Sequence, residues 1–464
     1  MAVTTTPVDG GEIDGFSEGL HGELLRPEDP NYDETRAIWN GMIDKRPALI
    51  VRSMGVSDVI AAVTFAREQD LPLAVRGGGH NIAGNAVCDD GLMLDLSAMR
   101  SVHVDPEGKT ARVEPGATLA DFDHEAQAFG LATPLGINST TGVAGLTLGG
   151  GFGWLTRKFG MTVDNLCSVD VVTADGELRH ASETENSDLF WGIRGGSGNF
   201  GVVTSFKFDL HEVGPEILSG PIVYAGEDAR DVLRHVRDFN EDAPDESAVW
   251  VVLRKAPPLP FLPEDVHGVG VVIVVTFYAG AMADGEEVLA PLREYGDPIA
   301  DAVGPHQYAE FQQAFDPLLT EGARNYWKSH NFSKLSDDAI DTAVEYAAEL
   351  PSPPSEIFFG QIGGAMARVP SDATAYPHRD AEYAMNVHTR WEDPAMDDEC
   401  IAWSREFFDA MAPYATGGVY VNFISENEGE EDLAYGKNQD RLAEIKAAYD
   451  PENLFRMNQN VEPV

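Results

Sequence analysis

Three glycine-rich segments carry the residues whose types and spacing could do chemistry. The first is Arg76-Gly77-Gly78-Gly79-His80-Asn81. Consecutive glycines expose backbone N–H groups with no side chains in the way, the arrangement that cradles a pyrophosphate. The second is the stretch 142–153 (GVAGLTLGGGFG), which permits close backbone approach over a longer span, and the third is 195–201 (GGSGNFG). Each alone is also what a tight turn requires. Three in one region point to a ligand that bears a diphosphate.

The third segment holds a literal G-x-G-x-x-G at Gly196, Gly198 and Gly201. A Rossmann dinucleotide site needs a strand before this motif and a helix after it. Here 188–193 (DLFWGI) reads as helix and 202–210 (VVTSFKFDL) as strand. The context is inverted, so a Rossmann site is rejected. His80 ends the triple-glycine loop, where an imidazole can bind metal, act as a base or bond covalently to a cofactor. Its nearest histidines, His103 and His124, share no ligand spacing with it, and H-E-x-x-H is absent, so no metal site is expected. The residues alone leave a packing role open beside the chemical ones.

These loops need elements to hold them. A strand at 48–53 (ALIVRS) leads to a helix at 57–69, with Ser57 as N-cap and Val59, Ile60, Val63 and Ala66 on its buried face. A second strand, 71–76 (LPLAVR), runs straight into the triple glycine. Segments 101–105 and 110–116 alternate at period two around Pro106-Glu107-Gly108 and predict a hairpin. Thr118 and Asp121 have capping-box spacing ahead of a helix over 119–129, closed by Gly130. Residues 1–40 read as an irregular acidic lead-in with one short helical stretch at 33–40. From about 213 the texture changes to strand-like runs at 247–254, 268–278, 356–363 and 418–424. Between them lie acidic helical segments such as 283–295 and 336–350, and proline-rich loops at 256–263 and 351–354. Strands alternating with helices but without glycine-rich turns predict an antiparallel sheet with helices on one face. A helix around 439–449 and an irregular tail complete the chain.

The chain has 464 residues, a size that suggests two to three domains, and its 43 % hydrophobic content excludes a disordered protein. Its 77 acidic against 32 basic residues give a net charge of −45, spread along the whole length. Such a surface repels phosphate backbones and anionic membranes, so no nucleic-acid or membrane partner is expected. The charge reads as adaptation to a salty cytosol, as in halophiles, beside the plainer reading of an ordinary acidic protein. Cys88, Cys167 and Cys400 are far apart and odd in number, which argues against a disulfide framework or a thiolate zinc site. The N-terminus lacks signal-peptide features, and the longest apolar run (268–280) is too short and too β-branched for a membrane span. A cytoplasmic protein is expected.

Several motifs together resemble the FAD-linked oxidases of the vanillyl-alcohol-oxidase type, in their berberine-bridge-enzyme-like branch. They are V-R-G-G-G-H-N (75–81), D-L-S-A-M (95–99), G-L-T-L-G-G-G-F-G-W-L (145–155) and K-F-G-M-T-V-D-N-L (158–166). They continue with D-L-F-W-G-I-R-G-G-S-G-N-F-G-V-V-T (188–204), Y-G-K-N-Q-D-R-L (435–442) and D-P-E-N-L-F-R-M-N-Q-N (450–460). The resemblance runs from about residue 44 to the C-terminus. It implies an α+β fold: a two-part FAD-binding domain of that type plus a substrate domain whose antiparallel sheet is covered by helices. The implied division is a lead-in at 1–43, an FAD-binding domain at 44–212, a substrate domain at 213–419 and a C-terminal segment at 420–464 that returns to the FAD domain.

The resemblance also implies a covalent bond from His80 to the flavin. The pyrophosphate would lie at Arg76, Gly77, Gly78, Gly79, His80 and Asn81. The ribityl chain and ADP would run along Asn138, Thr140, Thr141, Gly142, Gly145, Gly149, Gly150, Gly151, Gly153 and Trp154. The adenine end would lie near Gly201, Val202 and Val203, with Asn458 and Asn460 on the returning segment. Relatives with a second link carry a cysteine in G-x-C-P-T-x-G. The matching stretch, 136–142, has Asn138 there, and neither Cys88 nor Cys167 falls in it, so a single link is implied. The implied activity takes hydride from a small alcohol, sugar or amine to flavin N5, with oxygen reduced to hydrogen peroxide. A dehydrogenase of the same fold and a non-catalytic flavin-binding protein stay as alternatives. The family's Y-x-N-Y segment matches Tyr420-Val421-Asn422-Phe423, with Phe423 in place of the second tyrosine. The base is therefore sought at Tyr420, Tyr435 or Lys328, and a phenol in that role needs its pKa lowered from about 10. Gln361, Tyr376 and His378 are nominated as polar residues near strand ends that face substrate.

Overall fold

The computed structural model describes residues 9–425 and 431–464. The first eight residues of the expected lead-in, and residues 426–430 of the expected C-terminal segment, lie outside the described residues. Among the described residues, three large sheets organise the chain, beside a two-stranded pair of Leu131–Ala132 with His211–Glu212. In the first, Leu49–Arg52 pairs parallel to Leu92–Asp95, which pairs parallel to Leu73–Arg76, and Glu23–Leu25 adds an antiparallel edge. The second is wholly antiparallel, in the spatial order Val102–Asp105, Thr110–Val113, Val202–Asp209, Leu166–Val172, Leu178–Ser182. The expected hairpin forms its edge. Thr118 and Asp121 close both halves of a capping box on the helix Leu119–Gln127.

The third sheet is larger and also antiparallel. Its central strands run, in spatial order, Glu216–Ala225, Gly270–Tyr278, Ser247–Lys255, Glu356–Gln361, Tyr383–Trp391 and Arg324–Phe332. Side chains alternate between its two faces. Val249, Val251 and Leu253, Ile357 and Phe359, and Met385 and Val387 pack with the helices Ala229–Asp242, Met282–Arg293, Asp337–Ala347 and Asp397–Met411. Trp250, Phe358 and Ala384 belong to the opposite face, which joins residues of the 152–163 region in a separate apolar cluster. The helices therefore cover one face, as expected, and leave the other to meet the glycine-rich part of the chain.

The C-terminal helix Gln439–Tyr449 fastens the last residues to that part. Lys446 is fully buried and its ammonium donates to Asp450 Oδ2 (2.6 Å), the Asn199 carbonyl (2.8 Å) and the Phe455 carbonyl (2.9 Å). Asp450 in turn accepts from the Leu454 and Phe455 N–H groups. Asn199 donates to the Gln459 carbonyl and accepts from the Val461 N–H.

Three local expectations are corrected. Residues 10–25 are not irregular: Gly10–Glu18 is a helix and Glu23–Leu25 a strand. Phe16 of that helix stacks on Phe65 at 4.1 Å, a tertiary contact that its acidic, glycine-rich sequence does not advertise. The helix expected at 57–69 spans Val56–Glu68 with Gly55 as N-cap, so Ser57 lies inside it. Segment 418–424 is not a strand. Its Gly418 carbonyl accepts from the Asn331 N–H and its Tyr420 N–H donates to Ser329 Oγ, so it crosses the sheet's edge strand and folds into one tight turn, Val421–Phe423.

Candidate active site

A cavity of about 600 Å³ runs from the first glycine loop to the face of the large sheet that the helices leave uncovered. That size suits a small-molecule or cofactor ligand. Its walls include Gly77, Gly78, Gly79, His80 and Asn81 from the first loop, and Asn138, Thr141, Gly142, Gly145 and Trp154 from the second region. Gly201, Val202 and Val203 line it beyond the third loop, and Asn458 lines it from the returning C-terminus. Four separate stretches that sequence motifs single out are thus brought to one space.

The first loop is built for close approach. A Cβ on Gly78 would stand 2.4 Å from the Gly142 nitrogen, so the first two glycine segments meet backbone to backbone. Gly79 has φ +74°, a conformation that favours glycine. Among the described residues, no N–H of 77–81 donates to a backbone carbonyl. Free N–H groups, an open backbone cradle and a long cavity fit the diphosphate and ring systems of FAD.

Other expected residues stand behind the walls. Arg76 does not face the cavity; its guanidinium grips both oxygens of Asp95 on the neighbouring strand (2.9 and 2.6 Å) and so ties down the loop. Gly149, Gly150, Gly151, Gly153 and Asn460 are not wall residues either. The Gly151 N–H donates to the Tyr420 hydroxyl (3.1 Å), and the Asn422 side chain fills the space where a Gly149 Cβ would stand. Thr140 is also outside the wall but touches His80: Nε2 lies 3.0 Å from Thr140 Oγ1. The Thr140 hydroxyl donates to Asn138 Oδ1 (2.7 Å), so its oxygen is left to accept from Nε2–H. That tautomer leaves the lone pair on Nδ1. The ring also stacks on Trp39 at 5.0 Å, and burial pushes its pKa down to about 4, which keeps it neutral near pH 7.

Of the three expected bases, only Tyr420 reaches the cavity. Its hydroxyl accepts from Gly151 and from Asn422 Nδ2 (2.9 Å). Burial pushes its pKa up to about 12 against those two donors, the reverse of what a base near neutral pH requires. Tyr435 is packed in the core of the glycine-rich part, its hydroxyl donating to the Gln459 carbonyl (2.8 Å). Lys328 is on the helix-facing side of its strand, its ammonium 4.7 Å from the Phe408 ring. The substrate-facing nominations fall away as well. Gln361 accepts from the Val249 N–H, Tyr376 packs against Gly150 and Gly195, and His378 bonds the Ala434 carbonyl beside a different surface depression.

What faces the cavity from the large sheet is a row of direct cross-strand neighbours, Arg254–Glu356–His388–Trp327. Arg254 Nη1 lies 2.5 Å from Glu356 Oε2, and His388 Nδ1 lies 3.1 Å from Glu356 Oε1. Burial raises the Glu356 carboxyl, but Arg254, His388 and Arg390 outweigh it and hold the pKa at about 2. Around the row stand Trp250, Phe358, Phe423 and Phe152. The sequence signal for this row is a charged residue interrupting strand runs on the face that alternates with Val249, Val251 and Leu253.

Fold and site together define a flavin-dependent oxidoreductase, and comparison with known proteins agrees. Residues 47–182 match the FAD binding domain family, and residues 419–462 match the berberine and berberine like family. An FAD-linked oxidoreductase of Dictyostelium discoideum is 30% identical over 461 residues, covering 97% of each chain. The (R)-6-hydroxynicotine oxidase of Paenarthrobacter nicotinovorans is 32% identical over 459 residues, 96% of this chain and 97% of that one. The crystal structure of the 6-hydroxy-D-nicotine oxidase from Arthrobacter nicotinovorans superposes with a TM-score of 0.86 at 29% identity, covering 96% of this chain and 98% of its own. This chain belongs to the berberine-like FAD-linked oxidoreductases.

Proposed function

We propose that this protein is an oxidase that carries FAD on a single covalent bond to His80, acts on a small alcohol, sugar or amine, and uses oxygen as electron acceptor. The observation that carries this reading is the imidazole of His80 at the cavity wall, neutral, with Nε2 engaged by Thr140 and Nδ1 left to bond. The Gly77–Asn81 backbone would hold the diphosphate, and Gly201, Val202 and Val203 would line the adenine end. Asn138 offers no thiol where a second link would form. FAD, when bound, supplies the two-electron acceptor. The chain's own residues hold it, exclude water with the aromatic wall and take up the substrate's proton. The kinship with 6-hydroxynicotine oxidases supports a small-molecule substrate. The net charge of −45 supports a working environment rich in salt, and we place the protein in the cytoplasm.

The test is an absorption spectrum of protein purified in high salt, then acid-precipitated and washed. Flavin absorbance in the wild-type pellet, absent from the His80→Ala pellet, is the expected result. Flavin released to the supernatant by wild-type protein would overturn the covalent bond and leave the cofactor. Substrate-driven flavin reduction without peroxide would overturn the choice of oxygen.

A further inference from the structure

The His388 imidazole is 3 % exposed, and its Nδ1 faces Glu356 while Nε2 has no hydrogen-bond partner among the described residues. A buried nitrogen without a partner is costly unless something else meets it. Nε2 belongs to a residue that lines the cavity. The rest of the ring is held in place. Glu356 holds Nδ1, Arg254 holds the far oxygen of Glu356, and the Trp327 ring stands edge-on at 4.6 Å.

We infer that His388 is the proton acceptor of this site, with Glu356 and Arg254 as positioning residues, and that it serves an O–H or N–H group borne on a flat, mainly apolar body. This rests on the reading of the cavity as the place where an FAD oxidoreductase meets its substrate. An ionised Glu356 accepts from Nδ1–H, which fixes the tautomer and turns the Nε2 lone pair into the cavity. The substrate's O–H bond breaks with its electron pair left on oxygen, and the proton forms an N–H bond at Nε2. The imidazolium so formed faces the Glu356 carboxylate, which Arg254 keeps ionised. No electrons leave the pair in this step. The body of the substrate is set by the wall: Trp327, Phe358, Phe423 and Trp250 offer aromatic surface and few hydrogen bonds, so a flat ring suits it and a polyhydroxylated chain does not. The charged groups that bear on His388 are Glu356, Arg254 and Arg390; Lys328, on the adjacent strand, faces the helices. Burial lowers its pKa, Glu356 raises it in part and the two arginines lower it further, so the ring is neutral and able to accept near pH 7.

The experiment uses holoenzyme and 4-nitrophenol as probe, because the phenolate band reads ionisation directly by difference against the same protein without probe. Wild-type protein is expected to bind the probe and ionise it at a pH below the probe's own pKa. Histidine labelled at Cε1 should then show one imidazolium resonance that appears only with probe. His388→Asn keeps a donor for Glu356 but has no basic lone pair, and should bind the probe without ionising it. Glu356→Gln should weaken ionisation by tenfold or more in the apparent acid constant. Tyr420→Phe tests the rival phenol and should retain it. Ionisation unchanged in His388→Asn, ionisation lost in Tyr420→Phe, or no uptake or ionisation by wild-type protein would each overturn the proposal. Flavin content of the same samples reports separately: protein without flavin that still ionises its probe through His388 would sink the oxidase reading and leave this one standing.

Discussion

Asp123 is a buried carboxyl with one oxygen near Gln312 Nε2 (3.2 Å); among the described residues its other oxygen has no donor, and neither has Gln312 Oε1. Burial, opposed only by the hydrogen bond from Gln312, lifts the Asp123 pKa to about 7. The folded protein thus holds this proton well above the unfolded pKa of about 3.9. Stability from this group is full below the unfolded pKa and falls as pH rises towards 7, because only the unfolded chain ionises there. Asp123→Asn places an N–H donor where the acid proton was. It should raise the melting temperature at pH 8 and change it little at pH 4, as read by calorimetry. Tyr420 works at the same scale. Its hydroxyl satisfies the Gly151 N–H and Asn422 Nδ2, so Tyr420→Phe should cost about 1–3 kcal/mol in urea unfolding by leaving buried donors unmet. A loss below the error of that measurement would show the turn at 149–151 does not depend on it.

Among the elements, the C-terminal helix carries the sharpest energetic stake. Lys446 and Asp450 are both fully exchanged from water into protein, and the pair joins the helix to Asn199 and Phe455. Lys446→Met keeps the length of the side chain but strands the Asp450 carboxylate. Breaking a buried pair in this way costs about 3–5 kcal/mol. The variant should unfold at clearly lower urea and loosen the cavity wall, to which Phe455, Met457, Asn458 and Gln459 belong. Asp450→Asn in the same background should recover part of the loss. This junction was legible in the sequence as a helix and a motif, and the glycine loops were legible as places of close backbone approach, because both depend on residues adjacent in the chain. The Arg254–Glu356–His388–Trp327 row was not. It exists only through the register of four strands, and two of them, Arg324–Phe332 and Tyr383–Trp391, hide their periodicity. Every residue of Tyr383–Trp391 is buried, on both faces, so no polar–apolar alternation marks it as a strand. Segment 418–424 shows the opposite error. Its aromatic and β-branched residues fit a strand, yet the strand Arg324–Phe332 is met side-on and the chain turns into the cavity instead.

At the scale of the whole molecule the governing quantity is charge. Arginines on the helix Ala229–Asp242 already serve several carboxylates each: Arg234 and Arg237 share Asp337, and Arg230 and Arg234 share Asp341. Salt weakens such exposed pairs, but each contributes only about 0–1 kcal/mol. With 77 acidic and 32 basic residues, 45 carboxylates have no cation to balance them, so repulsion outweighs attraction at the surface. The screening length falls from about 8 Å at 0.15 M to about 3 Å at 1 M ionic strength, so most of that repulsion is removed over this range. The melting temperature should therefore climb steeply with KCl at low concentration and flatten once screening is complete. Screening is separable from general water-exclusion effects by comparing KCl with sucrose of equal osmolality, which has no charge. A rise with KCl alone supports repulsion as the cause and a salt-rich working environment. Equal rises with both, or a melting temperature indifferent to KCl, would show that the acidic surface is tolerated without screening and that the salt reading is wrong.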